Sequence, residues 1–330
     1  MRRRTVLALL ACGLSCGAAF VACGCDKGSS GGKKKPVVGV IPKGTTHIFW
    51  QSIHAGAKKG GDESGVEIRW QGPPNESDRA MQIRIVDDMQ TQRVNAIVLA
   101  PVDSKSLVPA VEGVFDKGIP IVIFDSGIDT DKYTAFVATD NREGGRVAGR
   151  EMLKLLGDEG GEVAIVRTMA GSQSTTEREE GFKEVVKQNP KIKIVAEPYG
   201  DSDRNKSQAQ ADTIFGNYPN LKGFYGPNES SAFGILRAME DRKIPPGKIK
   251  FVGFDASEEL DKGLEEKKID ALVLQNPVLM GEMAVKAAAA KLKGEAVAKE
   301  QKIAPTLVTQ ENMHDPNMHE LLHPNLDLLK

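Results

Sequence analysis

From Pro36 onward, short β-branched apolar runs alternate with stretches whose apolar residues recur at helical spacing. The run "VVGVI" (37–41) precedes a helix expected near 49–64, then come "VEIRWQG" (66–72) and a helix near 76–92. "AIVLAP" (96–101), a helix near 104–117 and "IPIVIFD" (119–125) continue the series. Strands buried on both faces read as near-continuous apolar runs, and the helices between them are the crossovers that parallel strands require. The order then repeats through "EVAIVRT" (162–168), "KIVAEPYG" (193–200), "LKGFYGP" (221–227), "IKFVGFD" (249–255) and "IDALVLQN" (269–276), and closes on a helix at 278–294 and the strand "APTLVT" (304–309). The pattern predicts an α/β fold of two similar Rossmann-like lobes with parallel central sheets. The first lobe takes residues 37–139 plus 277–304 and the second 140–276 plus 305–330, so the chain crosses between them several times and makes a hinge.

Ligands of open α/β sheets bind beyond the carboxyl ends of the strands, so the residues at those ends are the candidates. The first strand leads into Lys43, His47, Phe49 and Trp50; "IPIVIFDSG" ends at Asp125 and Ser126. "LKGFYGPNES" ends near Asn228, "IKFVGFDAS" at Phe254 and Asp255, and "IDALVLQN" at Gln275. Arg178 lies in the first turns of a helix that Ser174 to Thr176 are placed to cap.

Composition narrows the function. With 40% hydrophobic and 27% charged residues the chain has the make-up of a globular protein, and a formal net charge of −1 gives no footprint for nucleic acid. The first 24 residues stand apart: Arg2, Arg3 and Arg4 precede a short apolar stretch rich in small residues, the layout of a secretory signal. All four cysteines lie in or just after it, so a mature domain has neither disulfides nor thiolate metal sites. They resemble a bacterial lipobox, with Cys23 expected to carry the lipid and Cys25 or Cys12 as alternatives. The glycine, serine and lysine run over 25–36 is a flexible tether. Its formal G-x-S-x-G at Gly28, Ser30 and Gly32 lacks the strand and helix that a nucleophile elbow needs.

The rim has no phosphate loop, no H-E-x-x-H and no dinucleotide fingerprint, so no cofactor and no metal are expected. Carbohydrate suits the mixture. Carboxylates, amides and guanidinium match paired hydroxyls, and the apolar face of a sugar ring packs on aromatic rings. Asp125, Arg178, Asn228, Asp255 and Gln275 supply the first set, and Phe49 and Trp50 the second. The two rings are also placed to be core, Phe49 facing inward with Ile53. The tail histidines His314, His319 and His323 are expected to edge a lobe or to be loosely ordered.

Several stretches in order, "FWQSIHAGAKK", "IPIVIFD", "VATDNREGGRVAG", "TEREEGF", "PNESSAFGILRAM", "FVGFDAS" and "LQNPVLMGEMAV", resemble the ribose-binding-protein branch of the type 1 periplasmic binding proteins over about residues 37–310. The resemblance implies a monomer that binds a monosaccharide between its lobes, closes over it and delivers it to the permease of an ABC transporter. It implies contacts from Asp125, Arg178, Asn228, Asp255 and Gln275, an aromatic pair at Phe49 and Trp50, and Phe254 beside them. It also implies an exported, periplasmic or cell-surface lipoprotein.

The chain departs from that pattern at four positions. His47 stands where ribose binders carry asparagine, Ser126 where an arginine often follows the first aspartate, Ser202 where an aromatic is expected, and Lys43 where a small residue is expected. Lys43 points towards an acidic or phosphorylated sugar. Two other functions share these features: a ligand sensor that signals to a membrane receptor, and a secreted glycosidase using Asp125 and Asp255 as its carboxylate pair. A sugar-responsive repressor is excluded by the leader standing where its DNA-binding helices would be.

Overall fold

The computed structural model describes residues 34–329; the leader, its cysteines and most of the tether lie outside them. The first sheet is built from β1 (Val37–Ile41), β2 (Glu67–Trp70), β3 (Ala96–Leu99), β4 (Ile121–Phe124), β5 (Ala135–Thr139) and β11 (Glu300–Ile303), in the order β11-β5-β4-β3-β1-β2. The second is built from β6 (Gly161–Ile165), β7 (Ile192–Ala196), β8 (Leu221–Tyr225), β9 (Lys250–Phe254), β10 (Ala271–Leu274) and β12 (Thr306–Val308), in the order β12-β10-β9-β8-β6-β7. The two orders correspond strand for strand, so β4 is the counterpart of β9 and β5 of β10. All pairings are parallel except β12 on β10. That reversal, made by the short link after β11, places the last strand on the second sheet.

Helices cover both faces of each sheet, because each strand alternates its apolar side chains between two cores. On one side of the first sheet Val38, Val98, Val122 and Phe124 pack with α1 (Ile48–Ser64) and α9 (Pro277–Leu292). On the other, Ile41, Ile97, Leu99 and Ile123 meet α2 (Arg79–Thr91) and α3 (Val108–Asp116). The second sheet repeats the arrangement. Val163, Tyr225, Val252 and Phe254 face α4 (Asn141–Leu156) and α5 (Gln173–Val186). Phe224, Phe251 and Leu272 face α6 (Arg204–Asn217), α7 (Glu229–Asp241) and α8 (Glu258–Glu265). The chain passes between the sheets after β5, after β10 and between β11 and β12. Near the C-terminus α10 (Pro316–Leu322) drops Leu322 into the second core, and the 3-10 turn Asp327–Leu329 then packs on α1 of the first lobe.

Two helix pairs cross at backbone contact. A Cβ on Gly56 of α1 would sit 1.9 Å from the Val278 carbonyl of α9, and one on Gly145 of α4 would sit 2.0 Å from the Arg178 carbonyl of α5. Both glycines are therefore fixed by close approach, and Gly145 also sets the depth at which Arg178 is held. Gly113 in α3 has nothing within 4 Å of the same point. Urea denaturation is expected to show Gly145→Val destabilised by about 1–3 kcal/mol or more, from overpacking. Gly113→Ala is expected to be neutral or more stable by up to about 1 kcal/mol, because alanine loses less chain entropy in a helix. Equal effects at the two positions would contradict the packing described.

Candidate functional site

The loops that follow β1, β4, β8, β9 and β10 meet the start of α5 at one place, and both lobes contribute to it. Lys43, His47, Phe49, Trp50, Glu76 and Asp125 come from the first; Ser174, Thr175, Arg178, Asn228, Glu229, Asp255 and Gln275 from the second and its hinge strand. The space they enclose is about 30 Å³, room for a water or two rather than a sugar ring.

The two aspartates are the fixed points. Asp125 follows β4 and Asp255 follows β9, and both hold positive φ, 60° and 68°. A non-glycine residue pays about 1 kcal/mol or more for the left-handed region, although aspartate tolerates it better than most. Each backbone N–H still reaches the neighbouring strand, Asp125 N to the Val137 carbonyl and Asp255 N to the Val273 carbonyl, both at 3.0 Å. The turn thus closes the ladder and leaves each carboxylate at the end of its sheet.

Asp255 is well supported. Its Oδ1 accepts from Gln275 Nε2 at 2.8 Å, its Oδ2 accepts from the Glu229 backbone N–H at 3.2 Å, and Arg178 Nη1 lies 3.8 Å from Oδ2. Burial pushes its carboxyl above the usual carboxylate range; Arg178, Gln275 and the Glu229 N–H oppose that, and the charge of Asp125 adds to it. Hydroxyl donors favour the ionised form, so a polyol in the cage would pull this group back down. Arg178 is 2% exposed. Its Nε donates to Asn141 Oδ1 at 2.8 Å, its Nη1 to the Pro227 carbonyl at 3.0 Å, and its guanidinium stacks 4.0 Å over the Phe254 ring.

Asp125 is less complete. Its Oδ2 has the Lys43 ammonium at 2.8 Å, yet accepts no well-directed hydrogen bond from any described residue. Lys43 donates instead to Ser174 Oγ at 3.0 Å and Ser172 Oγ at 3.3 Å, across the cleft. A buried carboxylate oxygen with a nearby charge but no hydrogen bond is where a ligand hydroxyl gains most.

Phe49 and Trp50 are both wall and core. They stack edge to face with centroids 4.9 Å apart, Trp50 packs edge-on to Phe124, and both belong to the apolar cluster beneath the first sheet. Trp50 Nε1 donates to Glu76 Oε1 at 2.8 Å. The pair is packed in the core, as one sequence reading has it, and also lines the cage.

Three candidates sit off the wall. Phe254 is fully buried in the second core, as the plate beneath Arg178. Ser126 is buried and its Oγ accepts from Ser174 N at 3.0 Å, a bond between lobes. Ser202 lies at the rim, its Oγ donating to Glu76 Oε2 at 3.2 Å. Asn228 and Gln275 are on the wall but largely committed. Asn228 caps α7 by accepting from Ser231 N, and Gln275 Oε1 accepts from Thr139 Oγ1 at 2.6 Å. His47 Nε2 lies 3.0 Å from Glu229 Oε2 and 3.1 Å from Ser230 Oγ. The N-cap position of α5 is Ser172, two residues before the first of the expected caps, and its side chain makes no capping bond. In the tail, His323 pairs with Asp261 at 3.0 Å and sits beside His319.

Sequence reasoning missed Glu76, Glu229 and Asn141. An internal repeat points to two of them. Ser77-Asp78-Arg79 and Ser202-Asp203-Arg204 each open a helix with the aspartate as cap, and each arginine pairs with the acid that follows the third strand of its lobe, Arg79 with Asp103 and Arg204 with Glu229. Glu76 stands in the repeat too, where Asp201 stands in the second copy, and Asn141 has no such signal.

The cleft is drawn shut by further bonds between lobes. Gly127 N donates to Gln173 Oε1 at 3.0 Å, Ser104 N to the Gly171 carbonyl at 2.9 Å, and Arg79 Nη2 to the Ala170 carbonyl at 2.6 Å.

Known proteins share this architecture. The family described as periplasmic binding protein domain matches residues 38–296. The ribose import binding protein of Bacillus subtilis is 29% identical over 284 residues, 86% of this chain and 90% of the relative. The D-allose-binding periplasmic protein of Escherichia coli is 32% identical, over 75% of this chain and 81% of the relative. An ABC transporter solute-binding protein from Agrobacterium vitis, solved with bound D-fucose, superposes with a TM-score of 0.83 at 33% identity, covering 87% of this chain and 100% of that one. On its two doubly wound sheets, its shared cleft and this match, the chain belongs to the periplasmic binding protein family.

Proposed function

We propose that the chain is the solute-binding component of an ABC sugar importer, a monomer that takes an uncharged monosaccharide between its lobes by hinge closure and presents it to the permease. We place it outside the cytoplasm, held to a bacterial membrane by a lipid on Cys23. The division into lobes at 37–139 plus 277–304 and 140–276 plus 305–330 is part of this reading. The observation that carries it is the incomplete hydrogen bonding of Asp125 in a cage whose opposite wall, Arg178 and Asp255, is already braced. Ligand hydroxyls that bond both walls exist only in the closed state, so they shift the hinge equilibrium towards closure by their full differential affinity.

Asp125, Asp255, Arg178 and Asn228 are the polar contacts in this account, with Phe49 and Trp50 packing the ring. Gln275 and Phe254 position Asp255 and Arg178. The Lys43 ammonium occupies the place of the first hydroxyl donor, so binding has to displace it or part the lobes. It does not favour anions, since Asp125 already neutralises it. Four carboxylates, from Glu76, Asp125, Glu229 and Asp255, line the cage against one ammonium and one guanidinium. The sugars named for the relatives, ribose, D-allose and D-fucose, are neutral monosaccharides, which supports the same class here.

A thermal-shift panel of pentoses, hexoses, polyols, sugar acids and sugar phosphates, run on protein unfolded and refolded to strip carried ligand, tests the proposal. Ligand at 100 times its dissociation constant adds about 2.7 kcal/mol of stability, and the hits are expected among neutral sugars, with acids and phosphates silent. Silence across the neutral panel would overturn the carbohydrate reading. Calorimetry on Asp125→Ala or Arg178→Ala is expected to show a loss of about 2–4 kcal/mol of binding, since partner groups stay buried and unpaired. Losses under about 0.5 kcal/mol at both, which is the scale of a peripheral surface substitution, would put the ligand elsewhere.

A further inference from the structure

Behind the cage lies a second, larger space. Phe49, Asp255 and Gln275 form part of its wall as they do of the cage, but the rest differs in chemistry. Ile48, Leu274, Leu321, Leu322 and Pro324 make it mainly apolar, and its volume is about 370 Å³, within the range of small-molecule sites. Its outer wall is the C-terminal segment. Leu322 anchors that segment in the second core, His323 pins it to Asp261, and the turn at Asp327–Leu329 lies on α1 of the first lobe. The far side of the same segment is loosely packed as well: Pro277, Leu321 and Pro324 also line a neighbouring cavity of about 420 Å³.

Phe49, Asp255 and Gln275 stand between the two spaces. The cage offers carboxylates, amide and guanidinium; the cavity beyond Phe49 offers mostly leucine, isoleucine and proline, with Ser52, Ser257, Glu258 and His323 at its edges. The predominantly apolar part of that wall matches no face of a free monosaccharide seated in the cage, and apolar cavities favour apolar groups over water. From this we infer that the cavity is a second subsite, which receives an apolar substituent carried by the sugar, so that the preferred ligand is an alkyl or aryl glycoside. The inference rests on the carbohydrate reading of the cage and extends it.

Calorimetry on the leader-free protein compares the best monosaccharide of the panel with its methyl and para-nitrophenyl glycosides in both anomers. The aryl glycoside of one anomer is expected to bind about tenfold tighter than the free sugar. Leu321→Trp, which fills the cavity from its outer wall, is expected to abolish that gain while free-sugar affinity stays within twofold. Ala256, next to Asp255, also lines the cavity, and Ala256→Leu reads the same space away from the C-terminal segment should Leu321→Trp fail to bind free sugar. Tight binding of the free sugar with tenfold weaker binding of every glycoside would overturn the subsite and leave the cage intact. A gain unchanged in both variants would overturn it too. Absence of binding by free sugar and glycosides alike would overturn the carbohydrate reading and the subsite with it.

Discussion

Two buried carboxylates at the ends of equivalent strands are the constraint on which the rest of the structure depends. Asp125 and Asp255 occupy the same place in their sheets and the same left-handed backbone conformation. Removing a carboxylate from water costs several kcal/mol unless charge and hydrogen bonds replace the solvent, and the neighbourhood of each can be read as that replacement. Around Asp255 it is complete: amide, backbone N–H and guanidinium converge, and Asn141, the Pro227 carbonyl and the Phe254 ring hold the guanidinium in turn. Around Asp125 it is, among the described residues, the Lys43 ammonium reached from the same lobe. The asymmetry makes one wall a rigid template and the other a socket.

The hinge is coupled to this pair directly. Gln275 sits at one of the crossings between sheets, and its amide ties Asp255 to Thr139 at another. A change in the charge or partners of Asp255 is therefore felt at two hinge strands at once. The bonds that bridge the lobes, from Lys43, Ser104, Gly127 and Ser126, surround the cage on several sides. Closure is thus a property of the whole rim.

Much of this was legible in the sequence because strands buried on both faces announce themselves as apolar runs, and because ligands of such sheets sit at strand ends. That rule alone finds Asp125, Asp255, Asn228 and Gln275. It fails where the signal is weak or the contact is long-range. β11 is a polar edge strand with most of its residues outside the core, so "EQKI" carries no strand pattern. β5 follows a run of acids and lysine and was hidden in what reads as a crossing between lobes. Phe254 stands next to a site residue in sequence, but strand alternation sends its ring into the core. Lys43 and Glu76 reveal their roles only once a residue distant in sequence, Asp125 or Trp50, is placed beside them.

The most direct measurement is a crystal structure of the leader-free protein with a neutral monosaccharide from the panel. The account predicts the sugar in the cage, with hydroxyls hydrogen-bonded to Asp125 from one lobe and to Asp255 and Arg178 from the other, and the Lys43 ammonium displaced from Asp125. A sugar held by one lobe alone, or seated away from both aspartates with the Lys43 pair intact, would contradict it.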